Sequence, residues 1–98
     1  MFFVTLTFAA NRAAAPDLMA GHKAWIDQGF ADGVFLLTGS LAGGGGGAVL
    51  AHGTSREGLE ARLQRDPFVA EGVVEAAVVE VAPGATDGRL AFLKGQSG

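Results

Sequence analysis

Cysteine is absent from the sequence, and its absence excludes disulfide bridges, zinc–thiolate centres and thiol nucleophiles together. Charge is also scarce: only 17% of the 98 residues are Asp, Glu, Lys or Arg, and ten acidic residues face seven basic ones. Such a chain lacks the positive surface that nucleic acids and anionic membranes attract. No apolar run approaches the roughly 20 residues of a membrane-spanning helix. We therefore expect a cytoplasmic protein with neither nucleic acid nor membrane as a partner.

Apolar residues make up 49% of the chain, which is a high share for so short a sequence. The length predicts a single domain over residues 1–98, with an ordered core over about residues 1–82 and a C-terminal tail over residues 83–98. A small domain this rich in apolar residues is expected to hide part of its surface against another chain. The composition therefore predicts an oligomer.

The first half of the chain predicts a strand, a helix and a hairpin. Alternating side chains in the segment Met1–Ala10 favour a half-buried strand over a signal peptide, and the segment lacks the basic residues with which such peptides begin. Apolar residues then recur every four positions over Pro16–Phe30, as in an amphipathic helix. Strands are predicted at Val34–Thr38 and Ala48–His52, and the glycine run Gly43–Gly47 between them is expected to form a loosely ordered hairpin tip.

The second half predicts one helix and one strand. The T-x-x-E sequence beginning at Thr54 has the spacing of a capping box, so a helix is expected to start at Ser55. It should end at Asp66, because Pro67 disfavours helical geometry in the residue before it. A strand over Val73–Val81 follows. The order β-α-β-β-α-β predicts an α+β, ferredoxin-like fold, in which two helices cover one face of a four-stranded antiparallel sheet.

The predicted strands are apolar on both faces of this sheet. Runs such as Val34–Leu37 and Ala76–Val79 contain no polar side chain at either parity, although one face of such a sheet is left bare by the helices. The bare face is best covered by a second copy of the chain, stacked sheet against sheet. We therefore expect a homodimer that forms through the sheet face.

His22 and Asp66 are the candidate catalytic residues, and each also has a purely structural interpretation. His22 lies four residues from both Leu18 and Ile26, so its ring should face the sheet, either as an ordinary core histidine or as a general base. Asp66 either ends a helix, as Asp-Pro pairs commonly do, or accepts a hydrogen bond from one ring nitrogen and orients His22. A carboxylate at the C-terminal end of a helix is unfavourable unless a cation or a donor compensates it.

The other residues with reactive or metal-binding side chains match no complete motif. No Lys-Ser or Lys-Thr follows the glycine run, which argues against a phosphate-binding loop. The spacing of His52 to His22 fits no metal motif, and no metal or cofactor is expected. Ser40 is either a nucleophile or a surface hydroxyl, and Trp25 either belongs to the core or shapes an apolar pocket beside His22.

The segments GHKAWIDQG, LLTGSL and RDPFVAEGVVE, in this order, resemble the YciI-like (YCII-related) family of the dimeric α+β barrel superfamily. The resemblance runs from Met1 to about Val81. It implies a dimeric α+β barrel in which a histidine of the first helix and the aspartate of a D-P-[FY] motif form the functional pair. These residues would be His22 and Asp66, and the side chains expected to contact a small organic ligand are Trp25, Ser40 and Phe68.

The sequence departs from the family pattern at two places. The family usually carries an arginine three residues before the histidine and a G-P-[LM] element after the second strand, whereas this chain has Met19 and Gly39-Ser40-Leu41. Loss of the arginine removes an anion-binding contact. It therefore argues against a carboxylate-bearing substrate of the kind that relatives suggest.

The leading functional hypothesis is a small cofactor-independent enzyme in which His22, oriented by Asp66, moves a proton on a small organic molecule during an isomerisation or an elimination. The alternative is a non-catalytic binding or accessory dimer module. A monooxygenase shares the barrel, but no set of residues indicates oxygen chemistry. A free nitrogen of His22 in a concave pocket favours the enzyme, and a fully enclosed ring favours the module.

Overall fold

The computed structural model describes residues 1–95, and its main elements follow the predicted order. The elements are β1 (Phe2–Phe8), α1 (Ala15–Ala31), β2 (Phe35–Ser40), β3 (Gly46–Ala51), α2 (Arg56–Gln64), α3 (Pro67–Ala70) and β4 (Val74–Glu80). The strands form one antiparallel sheet in the order β2-β3-β1-β4. This confirms the predicted ferredoxin-like α+β fold. Within residues 1–95, no helix combines the length and the apolar character that crossing a bilayer requires.

The core lies on the face of the sheet that the helices cover. Cross-strand partners Phe35, Ala51 and Phe2 form one row of side chains on this face, and Val49 and Val4 belong to the next row. All five are buried, and burying one large aliphatic or aromatic side chain contributes about 1.5–3 kcal/mol. The helices add further buried side chains to the same cluster: Trp25, Leu59, Leu63 and Phe68.

The core becomes thinner towards one end of the sheet because the side chains of successive rows become smaller. The third row on the helix-covered face consists of Ser40, Gly47, Leu6 and Ala76. Gly47 contributes no side chain, and Ser40 contributes only a hydroxymethyl group. A space therefore remains between α1 and this end of the sheet.

The side chain and backbone of Arg62 connect α1 to α2. The indole Nε1 of Trp25 donates to the carbonyl oxygen of Arg62 at 2.9 Å, and the Arg62 guanidinium donates to Asp32 at 2.9 Å. This hydrogen bond, with a second one from Gln28, holds the pKa of the Asp32 carboxyl below its ordinary value. The contact therefore stabilises the fold above that ordinary pKa and is lost as the pH falls through the lowered one.

The helix that was expected to begin with a cap at Thr54 is capped one residue later. Ser55 has extended backbone angles, and its hydroxyl accepts from the N–H of Gly58 at 3.0 Å. The predicted capping box is therefore wrong by one residue. Ser55, which follows Thr54 directly, also carries a hydroxyl, and this hydroxyl lies three residues before the free backbone N–H of Gly58. The sequence pattern also missed α3, a single turn of four residues.

The glycine run is more structured than predicted. Gly46 and Gly47 belong to β3, and the carbonyl oxygens of Gly45 and Gly46 accept from the N–H groups of Phe8 and Leu41 at 3.1 and 2.8 Å. Gly46 has φ 135°, and a Cβ there would overlap the carbonyl oxygen of Leu6. The prediction of a loosely ordered tip is therefore wrong for Gly45–Gly47. These glycines have no side chains to pack, but their backbone is hydrogen-bonded to neighbouring segments of the chain.

The predicted C-terminal tail contains a folded segment. Residues Gly88–Leu93 form a 3-10 helix, whose start is capped by the carboxylate of Asp87, and Leu93 is only 1% exposed. The segment has no hydrophobic periodicity that would have indicated it. The last part of the predicted tail, residues 96–98, lies outside the described residues.

The close packing of α1 on β2 gives a test of the fold. A Cβ at Gly29 would overlap the ring of Phe35, so Gly29→Ala is expected to lower the free energy of unfolding by about 1–3 kcal/mol. This is the net loss that remains after the gain of about 1 kcal/mol in helix propensity that alanine brings. Urea denaturation followed by circular dichroism measures the difference. Gly84→Ala is the control, since a Cβ there meets nothing within 4 Å; equal stability of the two variants would contradict the packing.

Candidate functional site

His22 and Asp66 lie 44 positions apart in the sequence and meet in the structure. The Nδ1 atom of His22 is 2.8 Å from Oδ1 of Asp66. The side chain of His22 is 14% exposed, and that of Asp66 is completely buried. The predicted contact between the two residues is therefore confirmed, and it is a direct hydrogen bond in a largely dehydrated place.

Asp66 occupies this position because the chain turns sharply between α2 and α3. Pro67 begins α3, and Asp66 is the N-cap residue of that helix, with its Oδ1 accepting from the N–H of Phe68 at 3.0 Å. The carboxylate therefore faces the donors at the start of α3. The dipole cost expected at the end of α2 is offset by this N–H group and by His22. Asp66 therefore follows the end of one helix, caps the next and contacts the histidine.

The second carboxylate oxygen of Asp66 argues against a purely structural role. Its Oδ2 is buried and has no hydrogen-bond partner within residues 1–95. Burying an acceptor without a partner costs about 1–3 kcal/mol. A cap at the surface would leave this oxygen in water and avoid the cost. Helix termination alone does not require an aspartate held in this way.

Small residues and aromatic rings fix the histidine in place. Gly21 allows Pro67 to approach α1, since a Cβ at residue 21 would lie 3.0 Å from the proline Cγ. The ring of Phe68 stacks on the His22 ring with centroids 4.0 Å apart and planes 3° apart. Trp25 lies on a second side, with a centroid distance of 5.9 Å, and is itself held by its bond to α2. The imidazole therefore has one well-defined orientation.

This orientation directs the two ring nitrogens of His22 differently. In the neutral ring, a carboxylate at Nδ1 favours the tautomer that carries the proton on Nδ1 and leaves the lone pair on Nε2. Nε2 forms no hydrogen bond with any of residues 1–95 and is not sealed from solvent. His22 therefore presents an unoccupied basic nitrogen at the surface of a cleft.

The cleft is the space left by the thinning core and has a volume of about 320 Å³. Its walls are mainly apolar, and its polar side chains are two hydroxyls and two basic groups. The apolar wall consists of Leu6, Phe8, Met19, Trp25, Ile26, Val49, Phe68 and Val74, and the polar side chains are Thr38, Ser40, His22 and Lys23. The three residues predicted to contact a ligand, Trp25, Ser40 and Phe68, all line this cleft.

The other two candidate residues are not part of the His22–Asp66 pair. His52 lies away from it, and Ser40 has no general base beside it in the described part of the chain. His52 follows Ala51 at the far end of β3, where its ring contacts that of Phe92 at 5.4 Å. Within residues 1–95, no group of three or more His, Cys, Asp or Glu side chains is placed to hold a metal ion. Ser40 lies exposed on β2 and forms no hydrogen bond with a general base in the described part of the chain. It is a wall residue rather than an activated nucleophile.

Sequence reasoning missed several residues of the cleft, of which Phe8 and Lys23 have the longest side chains. Phe8 and Lys23 line it, yet neither was singled out, because Phe8 appears as one more apolar strand residue and Lys23 as a solvated helix residue. The available signal for Lys23 was its spacing. It follows His22 directly and lies four residues, or about one helical turn, after Met19.

Comparison of the fold with solved structures finds a similar enzyme. The 5-chloro-2-hydroxyhydroquinone dehydrochlorinase from Burkholderia phenoliruptrix, in complex with 2,5-dihydroxybenzoquinone, superposes with a TM-score of 0.69. The match covers 86% of this chain and 96% of that enzyme at 18% sequence identity. At this level of identity the likeness shows a shared fold. No curated protein matches the sequence itself.

The profile of one protein family matches most of the chain. It is that of the YCII-related domain, and the matched region is residues 1–83. The region includes all four strands, and both members of the His22–Asp66 pair lie within it. The resemblance seen in the sequence motifs is thereby confirmed: this chain belongs to the family of YCII-related domain proteins.

Proposed function

We propose that the protein is a small cytoplasmic enzyme that binds one small organic molecule in the cleft and transfers a proton on it through His22, which Asp66 orients. The observation that carries this proposal is the 2.8 Å hydrogen bond between Nδ1 and Oδ1, which leaves Nε2 available in a mainly apolar cleft. A base that is held in one tautomer and directed at a bound molecule is the arrangement that general acid–base catalysis requires.

The chemistry follows from the charges that develop during proton transfer. When Nε2 takes a proton from carbon or oxygen, the imidazole becomes a cation beside the buried carboxylate of Asp66, which stabilises it. Return of the proton to another atom of the molecule completes an isomerisation. Loss of a leaving group from the neighbouring carbon instead completes an elimination. Neither route needs a metal or a redox cofactor, so the proposal includes none.

The comparison with the dehydrochlorinase favours elimination as the first reaction to test. That enzyme is named for removing hydrogen chloride from a chlorinated, hydroxylated ring, and it was solved with a single-ring quinone bound. The cleft of about 320 Å³ in the present chain has room for a molecule of that size. The rings of Phe68 and Trp25 provide flat apolar surfaces against which such a molecule can pack.

The proposal predicts a specific pattern of mutational effects on turnover. The substrate for the assay is 5-chloro-2-hydroxyhydroquinone, and released chloride is measured. His22→Gln should reduce turnover to background. Asp66→Asn should reduce it by about a hundredfold or more, because an amide holds the ring less strictly in the productive tautomer and does not offset its charge. Both variants should remain folded, since glutamine suits a helix and asparagine caps α3 as well as aspartate does.

His52→Gln is the matched control for this assay, because it removes the other histidine, which lies at the far end of the sheet. Turnover by this variant should equal that of the original protein. Turnover that survives in His22→Gln would refute the proposed base. Binding without turnover, with an affinity unchanged in His22→Gln and Asp66→Asn, would instead support the binding-module alternative.

The tautomer of His22 can be tested without a substrate. Long-range ¹H–¹⁵N correlation spectra at a pH where the ring is neutral should show the proton of His22 on Nδ1, since Asp66 accepts from that atom. Asp66→Asn should shift the ring towards a mixture of tautomers, while the signals of His52 serve as an internal reference. A ring that carries its proton on Nε2 would contradict the proposed orientation.

We also propose that two copies of the chain pair through the open face of the sheet. On this face, Leu37, Leu50, Phe3 and Val79 form one cross-strand row. Three of them are 50–58% exposed, which is unfavourable in water. The next row contains only small uncharged residues: Gly39, Ala48, Thr5 and Ala77. These two rows form an apolar surface, and a charge first appears in the third row, at Glu75 on the edge strand β4. An apolar surface of this kind is complementary to itself, so a second copy related by a two-fold axis is its natural partner.

Dimerisation through this face can be measured by light scattering. The original protein should show about twice the chain mass of 9.9 kDa. Leu37→Arg should yield a monomer, because it places a charge in the apolar row of the interface. Leu90→Arg is the control, since Leu90 is also exposed but lies outside the sheet. A monomeric original protein, or a dimeric Leu37→Arg variant, would refute the interface.

A further inference from the structure

The titratable side chains that line the cleft are basic, and one of them, His22, is hydrogen-bonded to the carboxylate of Asp66. The chain has a formal net charge of −3, yet within residues 1–95 no acidic side chain lines the cleft, whereas His22 and Lys23 do. A basic group among apolar walls attracts anions more strongly than the same group in open solvent. The cleft is therefore the part of this acidic protein that suits a negatively charged molecule.

Lys23 provides a cation that no other described group neutralises. His22 already contacts the carboxylate of Asp66, whereas Lys23 forms no ion pair with any of residues 1–95. Asp27 lies one helical turn later, at a spacing that permits a salt bridge, and still does not form one. By contrast, Arg56, Arg62 and Arg89 are each paired with a carboxylate.

The geometry of α1 places this cation near the missing arginine of the family pattern. Side chains on a helix slope towards its N-terminus, so a long residue covers the turn before its own Cα. Lys23 therefore extends over the turn that contains Met19, and both residues line the cleft. Lysine stems pack along apolar surface and keep the ammonium group in water, and Lys23 is an exposed residue of the cleft lining. A positive charge is thus present close to where the sequence pattern alone indicates that it has been lost.

We propose that Lys23 binds an anionic group of the ligand, and that the ligand is a single-ring organic anion bearing a carboxylate or an acidic hydroxyl that is ionised at neutral pH. This inference rests on the proposed function, because it assumes that the cleft is the ligand site. The apolar walls and the volume of about 320 Å³ limit the rest of the molecule to one compact ring. Lys23 is then the residue that selects for charge, and His22 is the residue that acts on the bound ring.

Two probes with the same ring and different charges test this assignment. Benzoate and benzamide are both planar and of nearly equal size, but only benzoate is an anion at neutral pH. Dissociation constants are measured by nuclear magnetic resonance titration, in which the ring signals of His22 report binding in the cleft. The variants are Lys23→Met, which keeps an unbranched apolar stem without the charge, and Lys23→Arg, which keeps the charge. Lys94→Met, which removes a cation outside the cleft lining, is the control.

We expect the original protein to bind benzoate more tightly than benzamide. Lys23→Met should weaken benzoate binding about tenfold, the effect of losing one charge-assisted hydrogen bond, and should leave benzamide binding unchanged. Lys23→Arg should retain most of the affinity for benzoate, and Lys94→Met should retain all of it. Added salt should weaken benzoate binding to the original protein more than to Lys23→Met.

The possible failures can be distinguished. If both probes perturb His22 and Lys23→Met binds benzoate as well as the original protein does, the role of Lys23 is refuted while the cleft remains a ligand site. If neither probe perturbs His22, the cleft is not a site for a single ring, and the assignment of Lys23 falls with it. Failure of the catalytic proposal appears separately, as turnover that persists in His22→Gln.

Discussion

The hydrogen bond between Nδ1 of His22 and Oδ1 of Asp66 is the interaction on which the rest of the site depends. It joins the middle of α1 to the turn between α2 and α3, so it forms only when these helices are packed in one register. The aromatic ring of Phe68 lies directly after this turn and stacks on the imidazole. A single turn of the chain therefore supplies both the carboxylate that contacts Nδ1 and the aromatic surface that stacks on the ring.

The sequence contains enough local information to predict the fold, but only part of what positions the site. The order of elements follows from hydrophobic periodicity, and the end of α2 follows from Pro67, because both are local properties. The register between the helices is set by the contacts of Arg62 with Trp25 and Asp32. These contacts join positions at least 30 residues apart, and no local pattern specifies them. The pairing of His22 with Asp66 was predicted from the resemblance to the YciI-like family. The topology, which places both helices on one face, made the contact feasible but did not fix it.

The error over the glycine run has a physical cause, which is that backbone hydrogen bonds to neighbouring segments override local preference. Glycine-rich segments are flexible in isolation, yet the carbonyl oxygen of Gly45 is held by the N–H of Phe8 on β1. The role proposed for Lys23 has no signal in the sequence, because an exposed lysine on a helix is normally just solvated. The proposal depends on the absence of acidic side chains among the described residues that line the cleft, which is a property of the assembled surface.

The glycines at the start of β3 have a consequence for selectivity. The part of the cleft wall formed by Gly46 and Gly47 is bare backbone, held between β1 and β2 by pairing with Leu6 and Ser40. A side chain can rotate away from a bulky ligand, but a hydrogen-bonded strand has no rotamers to exchange and moves only at the expense of the sheet. For the ligand proposed above, this wall sets a fixed limit on thickness, which favours a flat ring over one with tetrahedral substituents above its plane.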